Sequence, residues 1–78
     1  MLKKELKLVV TFKNTVDAMR MEEKAQEAGI SGRLIPIPPQ ITAGCGLAFM
    51  APIKAGADLE LLMQTYGITC EQKAELLL

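Results

Sequence analysis

The chain has 78 residues, nine Lys+Arg balanced by nine Asp+Glu, and no histidine. That length makes one small domain, residues 1–78, which buries only about 60–65% of the surface its unfolded chain exposes. Neutral charge leaves no electrostatic footprint for nucleic acid, and three aromatic residues offer no base-stacking platform. Without imidazole the commonest general base and metal ligand are both missing. Two cysteines, Cys45 and Cys70, are too few for a zinc site and form no CxxC pair, so neither a metal nor another cofactor is expected. The opening Met1-Leu2-Lys3-Lys4-Glu5 leads into a short apolar run broken by Lys7. That matches neither a secretory leader nor a membrane span of about 20 apolar residues. The expected compartment is the cytoplasm, where both thiols stay reduced, with no membrane partner.

Leu6 to Phe12 is rich in β-branched and aromatic residues. Leu6, Leu8, Val10 and Phe12 alternate onto one face, predicting a central strand whose other face, with Lys7, Val9 and Thr11, is partly open. Asn14, with Asp17 three residues on, reads as a helix N-cap. The helix runs to Ala28 on a narrow stripe of Ala18, Met21, Ala25 and Ala28, and Gly29 stops it in a left-handed conformation. Its charged residues, Arg20, Glu22, Glu23, Lys24 and Glu27, read as a solvated surface, and Met19 and Met21 as gap-filling or surface side chains. Arg33 to Ile37 is extended, and Pro36, lacking an N–H, makes it an edge strand closed by Pro38-Pro39.

A loop, Gln40 to Gly46, leads into Leu47–Ala51, a second central strand ending at Pro52. A second helix is predicted from Lys54 to Tyr66, with Leu59, Leu62, Met63 and Tyr66 on its core stripe, a weak first turn at Gly56 and a cap at Gly67. Ile68-Thr69-Cys70 opens a last strand, while Glu71 to Leu78 reads equally as strand or short helix. The order βαββαβ predicts an α+β, ferredoxin-like split βαβ domain: four mostly antiparallel strands with two helices on one face.

Chemistry concentrates at Gly44-Cys45-Gly46. Flanking glycines strip side-chain cover from Cys45 and let consecutive N–H groups gather into an anion-binding concavity, which favours the nucleophilic thiolate. The plainer alternative is that the glycines shape the turn and Cys45 packs as a small hydrophobe; local sequence leaves both open. Cys70 shares a face with Ile68 and reads as core-facing.

The run Arg33-Leu34-Ile35-Pro36-Ile37-Pro38, followed by Ala43-Gly44-Cys45-Gly46-Leu47-Ala48, resembles the selenium/sulfur carrier-like family of small bacterial proteins, formerly described only as a domain of unknown function. The likeness extends from about Leu8 to about Ile68, with a strand ending at Thr11-Phe12-Lys13 and the Ala28-Gly29-Ile30 turn. It implies a covalent carrier, not a turnover enzyme, holding sulfane sulfur or selenium on Cys45 as a persulfide or perselenide. The donor would be an enzyme of cysteine-desulfurase type and the receiver an enzyme of selenium or sulfur assimilation. Gly44 and Gly46 would give access and backbone N–H groups, and Arg33 positive potential. This chain departs from the family pattern where basic residues often stand, carrying Pro39 or Gln40 and then Met50.

Two further readings compete. In one, the domain is an interaction or regulatory module that forms a homodimer through an open sheet face of Val9, Thr11, Ala48 and Met50, helped by the Leu76-Leu77-Leu78 end, with Cys45 structural. In the other, Cys45 and Cys70 form a thiol–disulfide switch, which needs their Cα atoms within roughly 7 Å.

Overall fold

The computed structural model describes residues 4–41 and 46–78. Its elements run β1 (Leu6–Thr11), α1 (Thr15–Glu27), β2 (Arg33–Pro36), β3 (Leu47–Pro52), α2 (Gly56–Tyr66) and β4 (Gln72–Leu77). The four strands form one antiparallel sheet in the order β2-β3-β1-β4, the ferredoxin-like arrangement that the element order predicts. β1 and β3 are central, and β2 lies at an edge as Pro36 requires.

The register explains why that proline is tolerated. Arg33 pairs with Met50 and Ile35 with Ala48, and the ladder extends past the strand end, where Ile37 N–H donates to the Gly46 carbonyl at 3.1 Å. Hydrogen-bonded and non-bonded pairs alternate in an antiparallel ladder. Pro36, opposite Leu47, therefore has its backbone nitrogen turned toward the free edge, where no donor is called for.

α1 starts where Asn14 Oδ1 accepts the Asp17 N–H at 2.9 Å. It ends with Gly29 at φ 73° and Ile30 N–H bonded back to the Ala25 carbonyl at 2.9 Å. Ala28, predicted on the buried stripe, is exposed, because it is already the cap residue and has left the core-facing turn. Met21 is buried and Met19 exposed.

The second helix starts later than predicted. Pro52 is followed by a 3₁₀ turn at Ile53–Ala55, and α2 begins at Gly56. Leu59, Leu62 and Met63 are buried as expected, but Tyr66 is 43% exposed. Its ring instead lies under Lys24, with Nζ 4.7 Å from the ring centroid, while its carbonyl accepts from Arg20 at 2.6 Å. Gly67, at φ 67°, reverses the chain and Ile68 drops into the core.

The last strand is also shorter at its start. Pairing with β1 begins only where Glu71 N–H reaches the Thr11 carbonyl at 2.7 Å, so Cys70 precedes the strand. The ambiguous stretch beyond it is strand, not helix.

The sheet has two apolar layers. Toward the helices, Val10, Phe49 and Ala51 pack with Met21, Ala25, Leu59 and Leu62, and with Phe12 just past β1. Gly32, ahead of β2, is needed here: a Cβ would stand 2.5 Å from the Phe49 ring. The opposite face was expected to be partly open, yet Val9, Thr11 and Ala48 are all 0% exposed. Ile41 folds back over Val9 and Ala48, and Ile35, Ile37, Leu76 and Leu78 pack around them. The face of Val9, Thr11, Ala48 and Met50, expected to be open, is instead covered: three of its four residues are buried within the monomer and Met50 is half-buried.

Candidate functional site

In the chain, the glycine–cysteine segment lies between β2 and β3, which pair as a hairpin. The hairpin's last bond, from Ile37 N–H to the Gly46 carbonyl, closes the base of a loop that starts at Pro38 and returns at Gly46. The first half of this loop is a turn, with Ile41 N–H donating to the Pro38 carbonyl at 3.0 Å. Pro38 and Ile41 are buried while Pro39 and Gln40 between them are exposed, so the turn is pinned to the sheet by its two ends. Burial of Ile41 costs the backbone little entropy because prolines at 38 and 39 already restrict φ.

Gly44 and Cys45 lie outside the described residues. Gly46 is exposed, and a Cβ added there would meet no heavy atom within 4 Å among the described residues. Its glycine thus relieves no contact; what it leaves out is a side chain directly beside Cys45.

Arg33 sits at the far end of β2, four residues from Ile37, which is about 13 Å along the strand. It is exposed, and shares with Lys4, Lys7, Ile35, Met50 and Leu78 an open groove of about 730 Å³ on the loop-covered face. Lys7 in that groove is paired with Glu5 at 3.1 Å. Met50, one of the positions where this chain lacks a basic residue, is the direct register partner of Arg33. The other, Pro39-Gln40, is the exposed crest of the turn. Both departures therefore line the same groove, Met50 from β3 and Pro39-Gln40 from the turn.

Cys70 is half-buried and packs against the helix-side core, as does Ile68. It stands just before β4 and Gly46 just before β3, with β1 between them, so the two chain segments are separated by about 10 Å across the sheet. The partner that a switch would need, Cys45, is outside the described residues. Thr11, at the same end of the sheet, joins β1 to the start of β4: its hydroxyl accepts the Gln72 N–H at 3.1 Å.

Sequence periodicity places Ile41 only in a loop, whereas the structure uses it to close the second apolar layer. The available signal was an isolated β-branched residue after two prolines, with an uncovered strand face elsewhere that needed a partner. No helix among the described residues is long and apolar enough to cross a membrane.

Residues 7–75 match a family model described as "Putative Se/S carrier protein-like". No curated protein and no solved structure matches the chain.

Proposed function

The chain belongs to the Se/S carrier protein-like family, and from that premise we propose that it carries a sulfane sulfur or selenium atom on Cys45. The observation that carries this reading is the match itself, whose span includes Gly44-Cys45-Gly46. The hairpin supports it by anchoring the following residue, Gly46, to a strand while leaving that residue exposed.

The step asked of the protein is redox-neutral. The Cys45 thiolate attacks the terminal sulfur of a donor persulfide; a new S–S bond forms at Cys45, and the donor's S–S bond breaks to release the donor cysteine as thiolate. Hand-over repeats the exchange, with an acceptor nucleophile taking the terminal atom and Cys45 leaving as thiolate. A perselenide follows the same pattern. No proton relay or metal is needed on this chain, since a thiolate and access to it suffice. Gly44 and Gly46 supply the access and backbone N–H groups, and an enzyme of cysteine-desulfurase type is the donor this chemistry calls for. Arg33, about 13 Å from the loop base, is more than a Debye length from it, so its positive potential is offered to an acidic partner lying along the strand.

Incubation with a desulfurase and cysteine, read by intact mass, tests the proposal. Wild type and Cys70→Ala are expected to gain one sulfur and Cys45→Ala none. Equal gain by Cys45→Ala, or no gain by wild type, overturns it.

A further inference from the structure

We propose that the chain forms a two-fold dimer by pairing its β4 edge with β4 of a second copy, in the register centred on Ala74. The inference is independent of the carrier reading and uses none of its residues.

Glu5 and Leu78 exchange both backbone bonds, at 3.1 and 3.0 Å, which makes them a hydrogen-bonded pair. Alternation along the ladder then fixes the rest. Leu76, Ala74 and Gln72 turn their N–H and C=O groups toward Lys7, Val9 and Thr11, whereas Leu77, Glu75 and Lys73 turn theirs outward. Among the described residues β4 has no second neighbour in the sheet, and those three outward positions are exposed. The other edge is different: Pro36 removes one of the outward donors of β2, a common way of blunting an edge strand. No proline interrupts β4.

Charges choose among the registers that this parity allows. Centred on Lys73, two cations oppose each other; centred on Glu75, two carboxylates do. Centred on Ala74, Lys73 of each copy lies directly opposite Glu75 of the other, on the helix-side face, and four backbone hydrogen bonds form. Directly opposed unlike charges are favourable and like charges unfavourable. Lys73 already pairs with Glu60 of α2 in the same chain, which holds it on that face ready for the partner's carboxylate. The product is a continuous eight-stranded sheet with all four helices on one side. Because paired β4 strands run antiparallel, the two Gly46 ends face away from each other and stay clear of the interface.

A pairing of this size, with few apolar contacts, makes a weak dimer that grows with concentration. Sedimentation equilibrium of the full chain from micromolar to millimolar concentration is the test, with circular dichroism confirming that each variant is folded. Wild type is expected to dimerise, and Glu75→Lys, which sets two like-charge contacts in the interface, to associate at least about tenfold more weakly. Lys73→Glu combined with Glu75→Lys restores the opposite-charge contacts and is expected to recover association. Glu75→Ala separates the registers, weakening a dimer centred on Ala74 but strengthening one centred on Glu75. A wild type that stays monomeric, a folded Glu75→Lys that dimerises as well as wild type, or a stronger Glu75→Ala dimer each overturns the proposal.

Discussion

The two faces of the sheet are closed by different means. On one, two helices bring Met21, Ala25, Leu59, Leu62 and Met63 onto Val10, Phe49 and Ala51, and the layer is deep enough to bury whole aromatic rings. On the other, a single turn lowers Ile41 onto Val9 and Ala48, and half-buried side chains from β2 and the end of β4 fill the margins. The first layer is tied to elements far apart in sequence, the second to a short loop that continues to Cys45. Damage to the first should therefore register in global stability. Damage to the second should register first in the loop and its thiol.

The sharpest way to break this division is Phe49→Ala. Phe49 is almost wholly buried in the helix-side core, so truncation removes its transfer free energy and leaves a cavity, at a cost of about 3–5 kcal/mol. For a chain of this length that is a large share of total stability, roughly 4–12 kcal/mol. Urea unfolding should show the midpoint falling steeply with an unchanged slope. While the variant remains folded, the alkylation rate of Cys45 should stay near that of wild type, with Cys70→Ala as the background to isolate one thiol. A Phe49→Ala protein of normal stability would contradict the placement of the main core.

Ile41→Ala probes the thin layer. Removing three carbons from a residue at the rim costs about 2 kcal/mol by transfer. Its distinguishing effect is local: amide exchange at Val9 and Ala48 should accelerate, and Cys45 alkylation should quicken more than in Phe49→Ala despite the smaller loss of stability. If thiol reactivity instead follows global stability across both variants, the two faces are not separable and the comparison fails.

How much of this was legible in the sequence follows the same line. The helix-side core was, because period-two and period-3.6 patterns at Val10, Leu59 and Leu62 point to one interior whatever the details of the loops. The edge position of β2 followed from one residue, Pro36, whose missing N–H permits few alternatives. Helix and strand ends were less legible: Ala28 and Tyr66 continue the right spacing but lie at the ends of their helices, where a cap takes the chain out of register with the core. The covered second face could not be read from strand alternation at all, since it depends on a loop residue, Ile41, arriving from outside any periodic segment. Of the candidate site, the sequence placed Gly46 at the entry to β3 and Arg33 on β2. It could not show that hairpin register puts them at opposite ends of the strand pair.

Gly46→Ala has the smallest expected effect on stability and is the finest test of what the glycine beside Cys45 does. A Cβ at this position meets no heavy atom within 4 Å among the described residues, and surface substitutions of this kind usually change stability by no more than about 0.5 kcal/mol. The Ile37 N–H to Gly46 carbonyl bond uses only backbone atoms and survives the change. The variant should therefore unfold with wild type, and the bond's amide, that of Ile37, should exchange at an unchanged rate. If the glycine's contribution is access to the thiol, loading of Cys45 by a bulky protein donor should slow while alkylation by a small reagent stays nearly constant. Equal slowing of both would point to backbone conformation, and a marked loss of stability would mean that Gly46 serves the hairpin and not the cysteine.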